Sequence, residues 1–125
     1  MKSLRRLFIA VALPLLVGFI TVGCSGLKQP PTKTLSSIAV TPASPAHLKV
    51  GATQQFTATG TYSDGTNNNV TASATWSSSN TTVATISNTS GSQGLATAAA
   101  LGSTTITATV NTIKGSTSLA VQPAP

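Results

Sequence analysis

The chain has 125 residues and carries 7 Lys or Arg against a single acid, a formal charge of +6, yet only 6% of its residues are charged and 4% aromatic. Such a length holds one small domain. With 1 Cys and 1 acid, there is no internal disulfide and no paired-carboxylate site; the single His47 has only one, distant acid and no serine stands in a nucleophile-elbow pattern, so an enzyme is not expected. Nucleic-acid binding wants clustered Lys/Arg interleaved with stacking aromatics, and neither pattern occurs.

Lys2, Arg5 and Arg6 open a basic segment, and Leu7–Val22 follows as an apolar run containing Pro14. These are the n-region and h-region of a secretory signal peptide. The run falls short of the roughly 20 apolar residues a spanning helix needs. Thr21-Val22-Gly23-Cys24 resembles the lipobox of bacterial lipoproteins, with Thr21 where leucine is usual. That resemblance implies a signal peptide over residues 1–23, cleavage after Gly23, and lipidation of Cys24. Each buried acyl methylene contributes roughly 0.8 kcal/mol, so one chain holds marginally and several hold firmly. An unpaired thiol in an oxidising compartment also favours the acylated form. Once the leader is removed, Lys28, Lys33, Lys49 and Lys114 face Asp64 alone, leaving +3 and no arginine. The high pI therefore reflects scarce acids rather than a basic face.

Residues 24–34 read as a polar stalk. Pro30-Pro31 favours an extended path that would hold a domain on the order of 30 Å from a bilayer. Lys28 and Lys33 could add about 1 kcal/mol each near anionic headgroups, although a plain solvated linker is the preferred account of them.

Over residues 35–122 the pattern turns to short runs of period two. Ile38 and Val40 begin it, and Pro42 and Pro45 interrupt it. Phe56, Ala58, Gly60 and Tyr62 alternate with Gln55, Thr57, Thr59 and Thr61; Asp64-Gly65 then marks a tight hairpin. Trp76 falls in phase with Ala72 and Ala74. Gly91 and Gly94 break the following stretch, and the alanines at 98–100 lie between turn residues. Ile106, Ala108 and Val110 alternate with threonines, Gly115 reads as a turn, and Leu119 and Val121 close the pattern before a tail at 123–125. Alternation of this kind places one strand face on a core and the other in water. Many such strands predict an all-β, antiparallel sandwich or barrel. Its expected core comprises Ile38, Val40, Leu48, Val50, Phe56, Tyr62, Val70, Trp76, Val83, Ile86, Leu95, Ile106, Val110, Leu119 and Val121.

Several segments in order carry a family resemblance: Leu35–Pro42, Val50–Ala58, Tyr62–Gly65, Val70-Thr71, Thr75–Asn80, Val83–Ile86 and Gly102–Ala108. Together they resemble a bacterial immunoglobulin-like domain of group 2. The resemblance implies a two-sheet immunoglobulin-like sandwich, with Trp76 kept and the usual cysteine pair absent. It brings no catalytic residues. The implied role is a membrane-anchored, surface-exposed lipoprotein in the bacterial cell envelope, facing the periplasm or exterior. Its single domain would serve as a binding or adhesion module, with a ligand-free structural or spacer component as the alternative. Expected partners are a membrane through the anchor, a glycan or surface protein, and weak self-association.

Individual residues offer few sites. Trp76 is a sugar-stacking platform or a core residue, and its parity favours the core. Asp64, beside Gly65, Thr66 and Asn67–Asn69, is the one calcium candidate. A lone carboxylate gives at best about millimolar affinity, so a hairpin turn explains it better. No other metal site, no cofactor and no catalytic residue is expected. His47 reads as an isolated loop histidine lacking zinc co-ligands. Asn69, Asn80 and Asn88 open sequons that read as coincidences of an Asn/Thr-rich surface. Few charges guard the strand edges, so edge-to-edge pairing is the expected route of self-association.

Overall fold

Period-two alternation in a Thr- and Val-rich chain builds strands, because β-branched side chains fit a pleated, half-buried surface. In the computed structural model, residues 29–43 and 46–125 are described; the leader, the Thr21–Cys24 lipobox, Lys28 and Pro45 lie outside them. Ten strands follow in order: β1 (Leu35–Thr41), β2 (Ala46–Lys49), β3 (Thr53–Gln55), β4 (Thr57–Tyr62), β5 (Asn67–Asn69), β6 (Thr75–Ser78), β7 (Ala84–Ile86), β8 (Leu95–Ala98), β9 (Gly102–Val110) and β10 (Ile113–Gln122). No helix occurs among the described residues. Lys33–Pro125 forms one compact unit containing the entire buried core.

Strand order is β1-β4-β5 and β3-β8-β7 on one side and β2-β10-β9-β6 on the other. β3 and β4 are consecutive pieces of one strand separated at Phe56, whose N–H donates to Gly94 O at 2.8 Å. They therefore join their two ladders into one layer, and the four-stranded sheet forms the second. The core between them centres on Phe56, Ile106 and Leu119, all fully buried.

The structure corrects the expected all-antiparallel pairing at one place. β2 runs parallel to β10, with Ala46 opposite Leu119 and Lys49 opposite Gln122. β1 pairs antiparallel with β4, so the chain changes sheets between Thr41 and Ala46. The first extended segment thus contributes to both layers.

Four local expectations also change. Val50 leaves the core: it sits in the turn after β2 and is 41% exposed, because the turn breaks the parity that placed it inside. Ala98 belongs to β8 and is buried rather than lying in a turn. Ala72 lies in a turn and is exposed, so only Ala74 and Trp76 point inward there. Gly115 lies inside β10, where a Cβ would collide with the Ile38 carbonyl. Glycine is needed there because the β1 backbone passes directly over β10, a close approach that a sequence shows no differently from a turn. Tyr62, Ile86, Leu95 and Val110 are half-buried around the core. Ala46, Ala84 and Ala96 are buried core residues outside the expected set; a methyl side chain gives little alternation signal.

Candidate functional site

Two ends and one broad face offer surfaces where function could reside. At the first end, the entry into β1, the β4–β5 hairpin and the β9–β10 turn converge. Ser63 N–H donates to Thr34 O at 2.8 Å, and Thr34 N–H donates to Ser63 Oγ at 3.2 Å. Lys33 Nζ stands 4.5 Å from the Tyr62 ring centroid and 3.5 Å from Asp64 Oδ2, and it donates to Thr66 Oγ1. Lys33 and Thr34, read from sequence as stalk, are therefore fastened to the hairpin. Beside this clasp an open groove of about 380 Å³ lies between Leu35, Tyr62, Val110 and Ile113.

Asp64 serves its own turn. Its Oδ1 accepts from the Thr66 hydroxyl at 2.6 Å and the Thr66 amide at 3.0 Å. Those two donors, hydroxyl first, and the nearby Lys33 charge hold its carboxyl below the usual 3.8. Gly65 supplies the positive φ of 81° that the Asp-Gly turn needs. Calcium takes 6–8 oxygens, whereas this carboxylate has both oxygens engaged by protein donors. Among the described residues no group of 3 or more His, Cys, Asp or Glu gathers.

Trp76 is 2% exposed, with its indole N–H donating to Thr71 O at 3.0 Å. A ring so placed is a core element rather than a stacking platform. β6 is the last strand of its sheet, and Trp76 lies opposite Ala108 on β9 while its own N–H and C=O point outward. The Asn88 side-chain amide meets both: Trp76 N–H donates to Oδ1 at 2.7 Å, and Nδ2–H donates to Trp76 O at 2.9 Å. One amide thus takes the place of a neighbouring strand residue and closes the edge. Only an outward-facing strand register could have revealed this role, and the sequence shows Asn88 merely as a sequon.

The other two sequon asparagines have local roles. Asn69 Oδ1 accepts from Thr71 N–H at 2.9 Å, and Asn80 Oδ1 accepts from Thr82 N–H at 3.1 Å, both turns in which the side chain mimics backbone. His47 lies on β2 rather than in a loop, and its Nδ1 accepts from Gln122 Nε2 at 3.2 Å. Apart from that bond the structure gives it no polar partner.

The broad face is the outer side of the four-stranded sheet. Its register places Thr75 beside Thr109, Ser77 beside Thr107, Thr107 beside Ser116, and Thr105 beside Ser118. Thr75, Ser77, Thr105, Ser116 and Ser118 are exposed and Thr107 is half-exposed, which makes this a hydroxyl-bearing surface with Lys114 and Lys49 toward its ends.

Two facing layers, a first strand shared between them and a buried tryptophan define an immunoglobulin-like β-sandwich. The chain belongs to the family described as bacterial Ig-like domain (group 2), whose sequence profile matches residues 35–121. It is 54% identical over 69 residues to Ice-binding protein 1 of Shewanella frigidimarina (strain NCIMB 400), a match covering 55% of this chain and 7% of that protein. Among solved structures it resembles the S-layer protein SbsC, with TM-score 0.64 and 25% identity over 79% of this chain and 14% of the other. A piece of SbsC comprising domains 4 and 5 matches with TM-score 0.60 and 28% identity, over 74% of this chain and 54% of that piece. The chain thus spans a small fraction of the full-length relatives it matches.

Proposed function

We propose that the chain is a lipoprotein of the bacterial cell envelope, anchored through Cys24, whose immunoglobulin-like domain is a surface-displayed binding or adhesion module. The observation that carries the binding role is the hydroxyl-lined face of β6, β9 and β10. An uncharged surface of this kind suits neutral, hydroxyl-rich polymers such as glycans, which exchange hydrogen bonds with it without desolvating charge. The relatives' names, a surface-layer protein and an ice-binding protein, support a location in the envelope facing outward.

Ice itself is a poorer fit to this face. Adjacent strands in β-sheets rotate by roughly −20 to −25° on average, so the three strands of this face would accumulate roughly 40–50° of twist. A flat crystal lattice would lose register across such a surface, whereas a flexible polysaccharide can follow it.

A ligand-free spacer is the second reading. It is favoured by the small share of the matched relatives that this fold occupies, 7% and 14%, as expected of one part in a larger assembly. A screen of the domain against neutral glycans separates the two readings. Saturable binding that is lost in Thr107→Arg, a variant that keeps the wild-type thermal midpoint, supports the binding role. Failure of every glycan to bind would leave the spacer reading in its place.

A further inference from the structure

The first two strands climb the whole length of the last one. Leu35 begins β1 at the end of the sandwich where Val110 and Ile113 lie, since all three line the groove there. Further along, the Ile38 carbonyl sits against Gly115, and Pro42 O accepts from the Thr117 hydroxyl at 3.2 Å. Ala46 then stands opposite Leu119, and Lys49 opposite Gln122. β1 and β2 thus run beside β10 in its own direction, the first bonded to β4 in one layer and the second bonded to β10 in the other. The chain enters this segment through Lys33 at the groove end. β10 finishes at Gln122 at the opposite end, where the Gln122 carbonyl accepts from Val50 N–H at 3.3 Å.

We propose that the domain is a load-bearing link, in which tension entering at Lys33 is held in shear by the β1–β4 and β2–β10 ladders together. A pull on Lys33 draws β1 and β2 along their own axes toward the groove end. Whatever holds the four-stranded sheet, a ligand on its hydroxyl face or a pull beyond Gln122, draws β10 the other way. Ladder hydrogen bonds lie across the strands. Sliding one strand past another therefore loads them all at once, whereas prising it off from one end breaks them in turn. Because the segment changes layers between Thr41 and Ala46, it cannot leave one sheet while the other holds. Buried Ile38, Val40, Ala46 and Leu48 key it into the core. Its entry is also guarded. Ser63 N–H donates to Thr34 O at 2.8 Å and Lys33 Nζ stands 3.5 Å from Asp64 Oδ2, so a sideways pull meets the hairpin before it reaches Leu35. The source of the load, a lipid at Cys24 and a partner on the hydroxyl face, belongs to the reading given above; the resistance belongs to the fold and stands without it.

Forced unfolding reports the barrier to unfolding rather than equilibrium stability, so single-molecule pulling is the test. The chain is made without its leader, which leaves Cys24 a free thiol and keeps the whole buried core. It is held through Cys24 and through Ala124→Cys, just beyond β10. In a second attachment Thr112→Cys, in the exposed β9–β10 turn, replaces Ala124→Cys. Both pulls then meet at the groove end and the segment peels. At equal loading rate the axial pull should need roughly twice the force of the peeling pull or more. Leu48→Ala, on the loaded segment, should lower the axial force; Ile38→Val, a smaller loss on the same segment, serves if Leu48→Ala does not fold. Asn88→Ala acts on β6, at the opposite edge of the sheet from β2, so it should lower the thermal midpoint and leave the axial force unchanged. Equal forces in the two attachments would overturn the proposal. So would an axial force that falls as much in Asn88→Ala as in the variant of the loaded segment, which would mean that the force follows overall stability alone.

Discussion

Asn88→Ala removes the amide that closes the outer edge of β6. In the wild type, the outward N–H and C=O of Trp76 bond to that side chain at 2.7 and 2.9 Å. Each such bond contributes about 1 kcal/mol net, and a buried group left unsatisfied costs about 1–3 kcal/mol. Water reaches an edge strand and recovers part of that loss, so the expected destabilisation is about 2 kcal/mol. In a domain of this size that corresponds to a fall in thermal midpoint of roughly 8–16 °C. Asn88→Asp retains an acceptor for the Trp76 N–H but sets a carboxylate against the Trp76 carbonyl, so it should be no more stable than Asn88→Ala. Calorimetry gives the midpoints, and amide hydrogen exchange at Trp76 reports the edge directly, with protection falling in both variants. A midpoint within about 2 °C of wild type, with Trp76 protection unchanged, would refute the assignment of Asn88 as the edge closure.

Two further outcomes follow from the packing and the charges. Gly115→Ala should destabilise the domain by about 1–3 kcal/mol despite alanine's lower chain entropy, because its methyl collides with the Ile38 carbonyl beneath β1; a neutral or stabilising result in chemical denaturation would mean that β1 does not pass so close. Asp64 is the chain's only acidic side chain and titrates below 3.8 when folded. Its contribution to stability is therefore complete above the unfolded carboxyl value and is lost as pH falls through the lower folded one. The Asp64 contribution to the midpoint should be constant from pH 8 to pH 5 and should decline only below about pH 4. Asp64→Asn should remove most of that acid decline, and an equal decline in the variant would contradict the Thr66 and Lys33 contacts.

The alternation around Phe56–Tyr62 and Thr105–Val110 made the sheet layers legible, because half-buried strands impose a strict period. Trp76 was legible as core for the same reason, and Asp64-Gly65 as a hairpin because its turn chemistry is local. What stayed hidden depends on tertiary neighbours. The parallel docking of β2 on β10 is a choice of partner strand, not a property of Ala46–Lys49. Gly115 looks like a turn residue until β1 is laid across it. Val50 was assigned inward because parity was carried through a turn that resets it. Asn88 combines an ordinary-looking sequon with a role set entirely by β6 lying at a sheet edge. The groove between Leu35, Tyr62, Val110 and Ile113 joins residues from both ends of the domain's sequence, so no local pattern announces it. The proposed anchor is the reverse case, resting on the Thr21–Cys24 resemblance alone, outside the described residues.

The proposed attachment of this sandwich to a membrane through Cys24 can be tested by metabolic labelling with palmitate in a bacterial host. The wild-type chain should incorporate label, partition with membranes, and yield an acylated N-terminal peptide beginning at Cys24 on mass analysis, while Cys24→Ser should do none of these. Equal labelling and membrane retention in Cys24→Ser, or a mature N-terminus elsewhere than Cys24, would contradict the claim.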